Sequence, residues 1–138
     1  MAVNTQFAIA VHLLAGLAYR EGQEATSAHL ALSVNTSPSF VRRTLSKLAK
    51  AGLVETTTGK AGACRLARKP GQVSLLEVYR AVDAPKAFAI HTYVPQKPCP
   101  VSCNIKTALE HARTKTQAAM EAALAKITLA EIVTDMKK

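Results

Sequence analysis

Between Ser37 and Gly52 the chain spells one helix with two opposite faces, and no other segment constrains the fold as much. Ser37 is placed to cap this helix. Pro38 suits its first position, where a missing N–H costs nothing. Gly52 supplies the stop. Val41, Leu45 and Leu48 follow the i, i+4, i+7 spacing of a buried stripe, with Phe40 and Thr44 beside them. Ser39, Arg42, Arg43, Ser46, Lys47 and Lys50 fall on the other side, and no acid interrupts them. Such a helix packs by one side and offers the other to a polyanion.

The neighbouring segments fit around it. Thr26 or Ser27 can cap a short helix through Ser33, with Leu30, Ala31 and Val34 on its apolar side. Asn35 and Thr36 form a polar break, so the two helices make a helix-turn-helix unit. Ahead of them, from about Thr5 to Tyr19, two adjacent stripes predict a helix buried over much of its girth. One stripe is Phe7, Val11, Leu14 and Ala18; the other is Ala10, Leu13 and Leu17. Gly22 is its stop, and His12 is read as a partly exposed or hydrogen-bonded residue within it. After Gly52, Leu53 to Thr58 is β-branched and reads as a strand. Gly59-Lys60-Ala61-Gly62 is a turn, and Ala63 to Ala67 returns as a second strand. Lys69-Pro70-Gly71 ends this wing. Ser74-Leu75-Leu76-Glu77 is a capping box opening a helix to about Val82.

From Asp83 to Cys103 the prolines Pro85, Pro95, Pro98 and Pro100 predict a loop. Asn104 is then the expected cap of a long helix. Ile105, Leu109, Ala112, Met120, Leu124 and Ile127 form its apolar stripe, which needs a partner, most simply its own copy in a homodimer. Thr128-Leu129-Ala130-Glu131 is a second capping box and predicts a short terminal helix. The expected fold is mainly α: a winged helix-turn-helix with a small β-hairpin wing and a long C-terminal dimerisation helix. The divisions are residues 1–83 for the DNA-binding domain, 84–103 for a Pro- and Cys-containing loop, and 104–138 for dimerisation.

The charge distribution sharpens the reading. The net charge is +9, yet residues 37–70 hold eight bases against Glu55 alone. The rest of the chain is nearly balanced. A solvated face ordinarily mixes signs, so this concentration points to double-stranded DNA. Arg42 and Arg43 are placed to reach base edges or phosphates, and Ser39 and Ser46 to add hydrogen bonds. Lys47, Lys50, Lys60 and Arg65 suit phosphates or the minor groove. Thr26, Ser37 and Phe40 complete the candidate DNA contacts at the two helix starts. Two such helices in a dimer would meet an inverted repeat.

Other function classes find little support. The apolar stretch Phe7 to Ala18 is too short to span a bilayer and lacks the features of a signal peptide, so no membrane association is expected. Three cysteines are poorly placed for a disulfide framework, and a reducing, cytoplasmic setting follows. No nucleophile–base pair, metal motif or phosphate loop marks an enzyme. A protein-interaction module without DNA specificity is the competing reading, and the concentrated charge argues against it.

The run Phe40-Val41 with Leu45-Ser46-Lys47-Leu48-Ala49-Lys50-Ala51-Gly52-Leu53-Val54, then Gly59-Lys60-Ala61-Gly62, Leu66-Ala67-Arg68 and Leu75-Leu76-Glu77-Val78, resembles the Rrf-two family of bacterial transcription regulators, the IscR-, NsrR- and CymR-like proteins. Cys99-Pro100-Val101 and Asn104-Ile105 also resemble it, especially its members without an iron–sulfur cluster. The resemblance implies a homodimeric regulator, usually a repressor, with long helices crossing between subunits. It implies recognition-helix contacts at Ser39, Arg42 and Arg43, and a wing tip in the minor groove at Gly59, Lys60 and Gly62. Three positions depart from the family pattern: Thr58 stands where some members have a base, and Ala63 and Cys64 stand where a glycine and an aromatic are usual. Cluster-binding members carry three cysteines before the long helix. Here Cys99 and Cys103 are present and Tyr93 stands at the first place, so no cluster and no metal are expected. An iron–sulfur-dependent regulator using Cys99 and Cys103 is the alternative. The two thiols are otherwise candidate redox sensors, with an unidentified small effector as the other switch. Cys64 is read as a small apolar wing residue, and His91 and His111 as surface residues.

Overall fold

The structure, a computed structural model, describes residues 4–20, 23–56 and 63–138. The elements run α1 (Gln6–Tyr19), β1 (Ala25–Thr26), α2 (Ser27–Val34), α3 (Pro38–Lys50), β2 (Val54–Thr56), β3 (Ala63–Leu66), α4 (Leu75–Ala81), α5 (Pro100–Lys126) and α6 (Leu129–Met136), with a 3-10 turn at Pro70–Gln72 before α4. They form two compact units: residues 4–84 with 124–138, and residues 85–123. Gly22, Gly59, Lys60 and Gly62, assigned above to a helix stop and a wing tip, lie outside the described residues.

The first unit is a mainly helical winged helix. Its helix starts and stops are where local chemistry puts them. Thr26 caps α2 by accepting the His29 N–H at 3.1 Å, and Ser37 caps α3 by accepting the Phe40 N–H at 3.2 Å. Asn35 ends α2 in the left-handed region at φ 63°, a conformation its short polar side chain tolerates. Gly52 ends α3 at φ 77°. Its N–H bonds to the Ala49 carbonyl and that of Leu53 to the Leu48 carbonyl, the paired bonds of a Schellman stop. No atom lies within 4 Å of a Cβ built there, so the glycine is required by backbone conformation and not by space.

The core joins α1 to the helix-turn-helix. Ala10, Leu13, Leu14 and Leu17 of α1 meet Leu30, Ala31, Val41, Leu45 and Leu48, all buried. Thr44 is also fully buried, and its hydroxyl donates to the Phe40 carbonyl at 3.0 Å. The wing is antiparallel, Glu55 facing Arg65 and Thr56 facing Cys64. It differs from the expected hairpin by a third strand. β1 pairs with β3, Ala25 opposite Cys64, giving the order β1-β3-β2. Cys64 is thereby fully buried, as a small apolar side chain. Burial, with Glu24 adding repulsion, pushes its thiol up to about 11, so it stays protonated at neutral pH.

The C-terminal region corrects three expectations. The long helix begins at Pro100, not beyond Asn104, whose side-chain amide donates to the Pro100 carbonyl at 2.6 Å. Cys103 therefore lies in the first turn and not in the loop. The helix stops at Lys126, one residue before Ile127, whose carbonyl accepts the Leu75 N–H at 2.9 Å. Finally, α6 and the end of α5 group with the first unit and not with residues 104–123. α6 packs on α1, and Leu129 is a fully buried core residue. Both capping boxes are present, Ser74 with Glu77 and Thr128 with Glu131, and Ser74 and Thr128 face each other in an antiparallel bridge.

Leu129→Ala removes a core side chain that neighbouring atoms only partly replace. It should lower unfolding stability by about 2–5 kcal/mol in urea titration. A loss below about 1 kcal/mol would show that α6 only rests on the surface.

Candidate nucleic-acid interface

With Val41, Thr44, Leu45 and Leu48 turned inward, α3 presents Ser39, Arg42, Arg43, Ser46, Lys47 and Lys50 outward, and all six are exposed. Three of the four cations are propped. The Arg42 guanidinium donates to the Ser39 hydroxyl at 3.3 Å. Arg43 lies 5.5 Å from the centroid of the half-buried Phe40 ring. The Lys47 ammonium donates to the Gln6 side-chain carbonyl at 3.2 Å, and the Gln6 amide donates to the Thr44 hydroxyl at 3.4 Å. Each of these restricts a long side chain before any ligand arrives, which lowers the entropy lost on binding.

The sequence alone treats Ser39 and Phe40 as separate contacts. In the structure they also orient Arg42 and Arg43. Gln6 is invisible to sequence reasoning, because its link to Lys47 crosses 41 positions and no local spacing reveals it. The Ser37 and Thr26 hydroxyls accept backbone N–H groups at the starts of α3 and α2, which leaves each O–H free to donate. Both sit at helix N-termini, where partial positive charge favours an anion.

The wing contributes less free charge than a residue count suggests. The Arg65 guanidinium lies 3.1 Å from the Glu55 carboxylate directly across the strands, both side chains more than half exposed. Arg68 turns away from the patch. It donates to Glu77 at 2.6 Å and to the Gln72 carbonyl at 3.4 Å, bracing the wing's exit against the start of α4. Burial works against the Glu77 carboxylate, but hydrogen bonds from Arg68 and the Ser74 backbone outweigh it and hold its pKa below the usual value.

In the second unit, the loop before α5 is tied to the start of that helix through Ser102. The Tyr93 hydroxyl donates to the Ser102 carbonyl, the Gln96 N–H to its hydroxyl at 2.8 Å, and its own N–H to the Cys99 sulfur at 3.4 Å. Cys99 thus sits just before the helix and Cys103 one turn into it, both exposed. His91 stacks on Tyr93 with centroids 4.8 Å apart. An iron–sulfur cluster takes four protein ligands. Among the described residues no three His, Cys, Asp or Glu side chains gather for a metal, and the phenol at position 93 is engaged elsewhere.

The expected dimer stripe lies on a helix of 27 residues with no buried side chain. Ile105, Leu109, Met120 and Leu124 are half-exposed and Ala112 is exposed, while Ile127 falls beyond the helix end. Among the described residues no helix is long and apolar enough to cross a membrane. His12 contacts Ser33 at 2.9 Å, as a hydrogen-bonded surface residue.

Comparison with known proteins agrees with this architecture. The model of the Rrf2 family, described as "Iron-dependent Transcriptional regulator", matches residues 3–135. YwnA of Bacillus subtilis, named as a candidate HTH-type transcriptional regulator, is 39% identical over 95% of this chain and 96% of its own. A crystal structure of a candidate DNA-binding protein superposes with a TM-score of 0.72 at 37% identity, over 92% of this chain and 97% of the other. A candidate transcriptional regulator from Lactobacillus plantarum superposes with a TM-score of 0.80 at 26% identity, over 96% and 90% of the two chains. With α3 bearing an acid-free cationic face on a winged helix, and the family model matched from residue 3 to 135, the chain belongs to the Rrf2 family of transcriptional regulators.

Proposed function

We propose that the protein is a homodimeric, sequence-specific DNA-binding repressor working in the cytoplasm, with α3 in the major groove and the wing at the minor groove of an inverted repeat. The exposed, acid-free stripe from Ser39 to Lys50 carries the proposal. Arg42 and Arg43, in the first half of α3, read base edges, and Ser39 and Ser46 add hydrogen bonds. Lys47, Lys50, Arg65 and Lys60 hold phosphates, as do the free O–H groups of Thr26 and Ser37. Glu55 shares Arg65 and limits the wing's attraction for DNA. Gly59 and Gly62 let the wing backbone approach the groove. A second copy covers the Ile105, Leu109, Ala112, Met120 and Leu124 stripe and sets two α3 helices about one DNA turn, ~34 Å, apart.

Binding to a palindromic duplex should weaken steeply with salt. Arg42→Ala should cost about 1–3 kcal/mol per half-site and relax base preference. Lys50→Ala should weaken all duplexes alike and reduce the salt slope by about 1 for each phosphate no longer neutralised. Fluorescence anisotropy across a salt series measures both. Salt-independent binding, or no preference over random DNA, would leave a protein-interaction module as the better description.

Leu109→Glu places a charge in the apolar stripe of α5. Sedimentation should show a monomer where the parent is a dimer, with operator affinity falling in step. An unchanged sedimentation coefficient would remove α5 as the dimer interface.

The switch in this proposal is oxidation of Cys99 and Cys103. A peroxide or hypochlorite oxidises one thiolate to a sulfenic acid; the second thiol displaces water and forms a disulfide, so two thiols and one peroxide give one disulfide and two waters. Intact mass should fall by two hydrogens and operator affinity should change, while Cys99→Ser abolishes both effects. Cys64, protonated and buried, should stay unmodified until the chain is unfolded. Unchanged DNA binding after complete oxidation would leave a separate effector as the switch.

A further inference from the structure

Cys64 of β3 has Ala25 opposite it on one side and Thr56 on the other. This register sets Ser27, the first residue of α2, beside β2 and the flank of α3. The three elements leave a recess of about 250 Å³ lined by Ser27, Arg42, Leu45, Ser46, Ala49 and Thr56. Leu45 and Ser27 form its depth, at 3% and 6% exposed, while Arg42, Ser46 and Thr56 are exposed at its mouth. A buried serine ordinarily finds a hydrogen-bond partner. Among the described residues the Ser27 hydroxyl bonds to no group, and none of their enclosed side-chain polar atoms lacks a partner. That hydroxyl therefore meets solvent, and the recess is where it does so.

The lining selects a particular chemistry. It holds no carboxylate among the described residues, and its one charge is Arg42, whose guanidinium is held by Ser39 one turn earlier. The first turn of α2 adds partial positive charge from N–H groups without intrahelical partners. Hydroxyls beside such a helix start suit an anion better than a cation or a hydrocarbon. A flat base edge lies inside its groove, whereas a phosphate projects from the duplex and can reach a buried hydroxyl. With α3 in one groove and the wing at the next, the strand between the grooves passes over this recess. We propose that the recess seats one backbone phosphate of double-stranded DNA, with Ser27 as its innermost donor and Ser46 and Thr56 as flanking donors. The inference rests on the DNA-binding reading above and extends it to a residue outside the exposed stripe. Unlike Lys47 and Lys50, these three donors are uncharged, so they fix register without adding an ion pair.

The test uses the full chain and a duplex that it selects from a random pool. Ser27→Ala should weaken binding by about tenfold or more, the scale of a hydrogen bond to a charged acceptor. The slope of affinity against salt should stay as in the parent, because no cation is removed. Thermal denaturation should also match the parent, since the lost hydroxyl bonds to nothing in the described fold. Single phosphates are then replaced by neutral methylphosphonates. One position per half-site should matter to the parent and cease to matter to Ser27→Ala, while the other sensitive positions stay sensitive. Thr56→Val, which keeps its shape at an exposed position, should reduce the effect at that same phosphate. Parent-like affinity of Ser27→Ala, a reduced salt slope, or methylphosphonate effects that neither substitution alters would overturn the seat. So would a loss that follows a base change and no phosphate. A parent that selects no duplex would overturn the DNA-binding reading as well, whereas normal parent binding beside indifferent variants overturns the seat alone.

Discussion

The rotational setting of α3 about its own axis governs the rest of the molecule. Val41, Thr44, Leu45 and Leu48 are buried under α1 and α2, and each successive helical residue turns by about 100°. Burying those four therefore fixes Arg42, Arg43, Ser46 and Lys47 on the outside. A slip by one residue would drive Arg42 into the core, where an unpaired guanidinium costs several kcal/mol, about as much as a small domain can lose. The core thus specifies which face of α3 carries the cations. Thr44 shows how close the margin is. It is the one polar side chain of α3 in the interior, tolerated because its hydroxyl is bonded to the Phe40 carbonyl and to Gln6.

The charges are arranged with equal economy. Residues 37–70 hold eight bases, and the structure separates those that it describes. Arg68 is a strut on Glu77, Arg65 is shared with Glu55, and Arg42, Arg43 and Lys47 lean on neutral groups that restrain them without cancelling their charge. Only the last arrangement keeps both the electrostatic attraction and a low ordering cost for an incoming polyanion. The exposed pair on the wing is weak, because solvent screens it. Glu55 is better understood as moderating Arg65 than as stabilising the sheet.

What is visible in the sequence follows the range of the interactions concerned. Ser37-Pro38, Gly52 and both capping boxes are legible because each is completed within a few residues. The two faces of α3 are legible because helical periodicity repeats locally. The third strand Ala25–Thr26, the Gln6–Lys47 bond and the return of α6 onto α1 are not, because each is decided by a partner dozens of positions away. The start of α5 is a different case. In sequence Pro98 and Pro100 read as breakers, yet Pro100 is the first residue of the helix, where its ring fits and its missing N–H is no loss. A proline marks a helix start as readily as a loop, and the prolines around this one favour the wrong choice.

The turn between α5 and α6 is held by backbone bonds and by a capping box on each side. The chain leaves α5 at Lys126 and is clamped at once, the Leu75 N–H on the Ile127 carbonyl and the Leu129 N–H on the Val73 carbonyl, both at 2.9 Å. Two helix starts are locked to each other there, each by its own Ser or Thr and Glu pair. Leu129 anchors this segment in the core. α4 packs on both α1 and α3, so the clamp is continuous with the packing beneath the cationic face. The order of the chain at this turn is therefore fixed by bonds local to each helix start, while its place in the fold is fixed by the burial of Leu129.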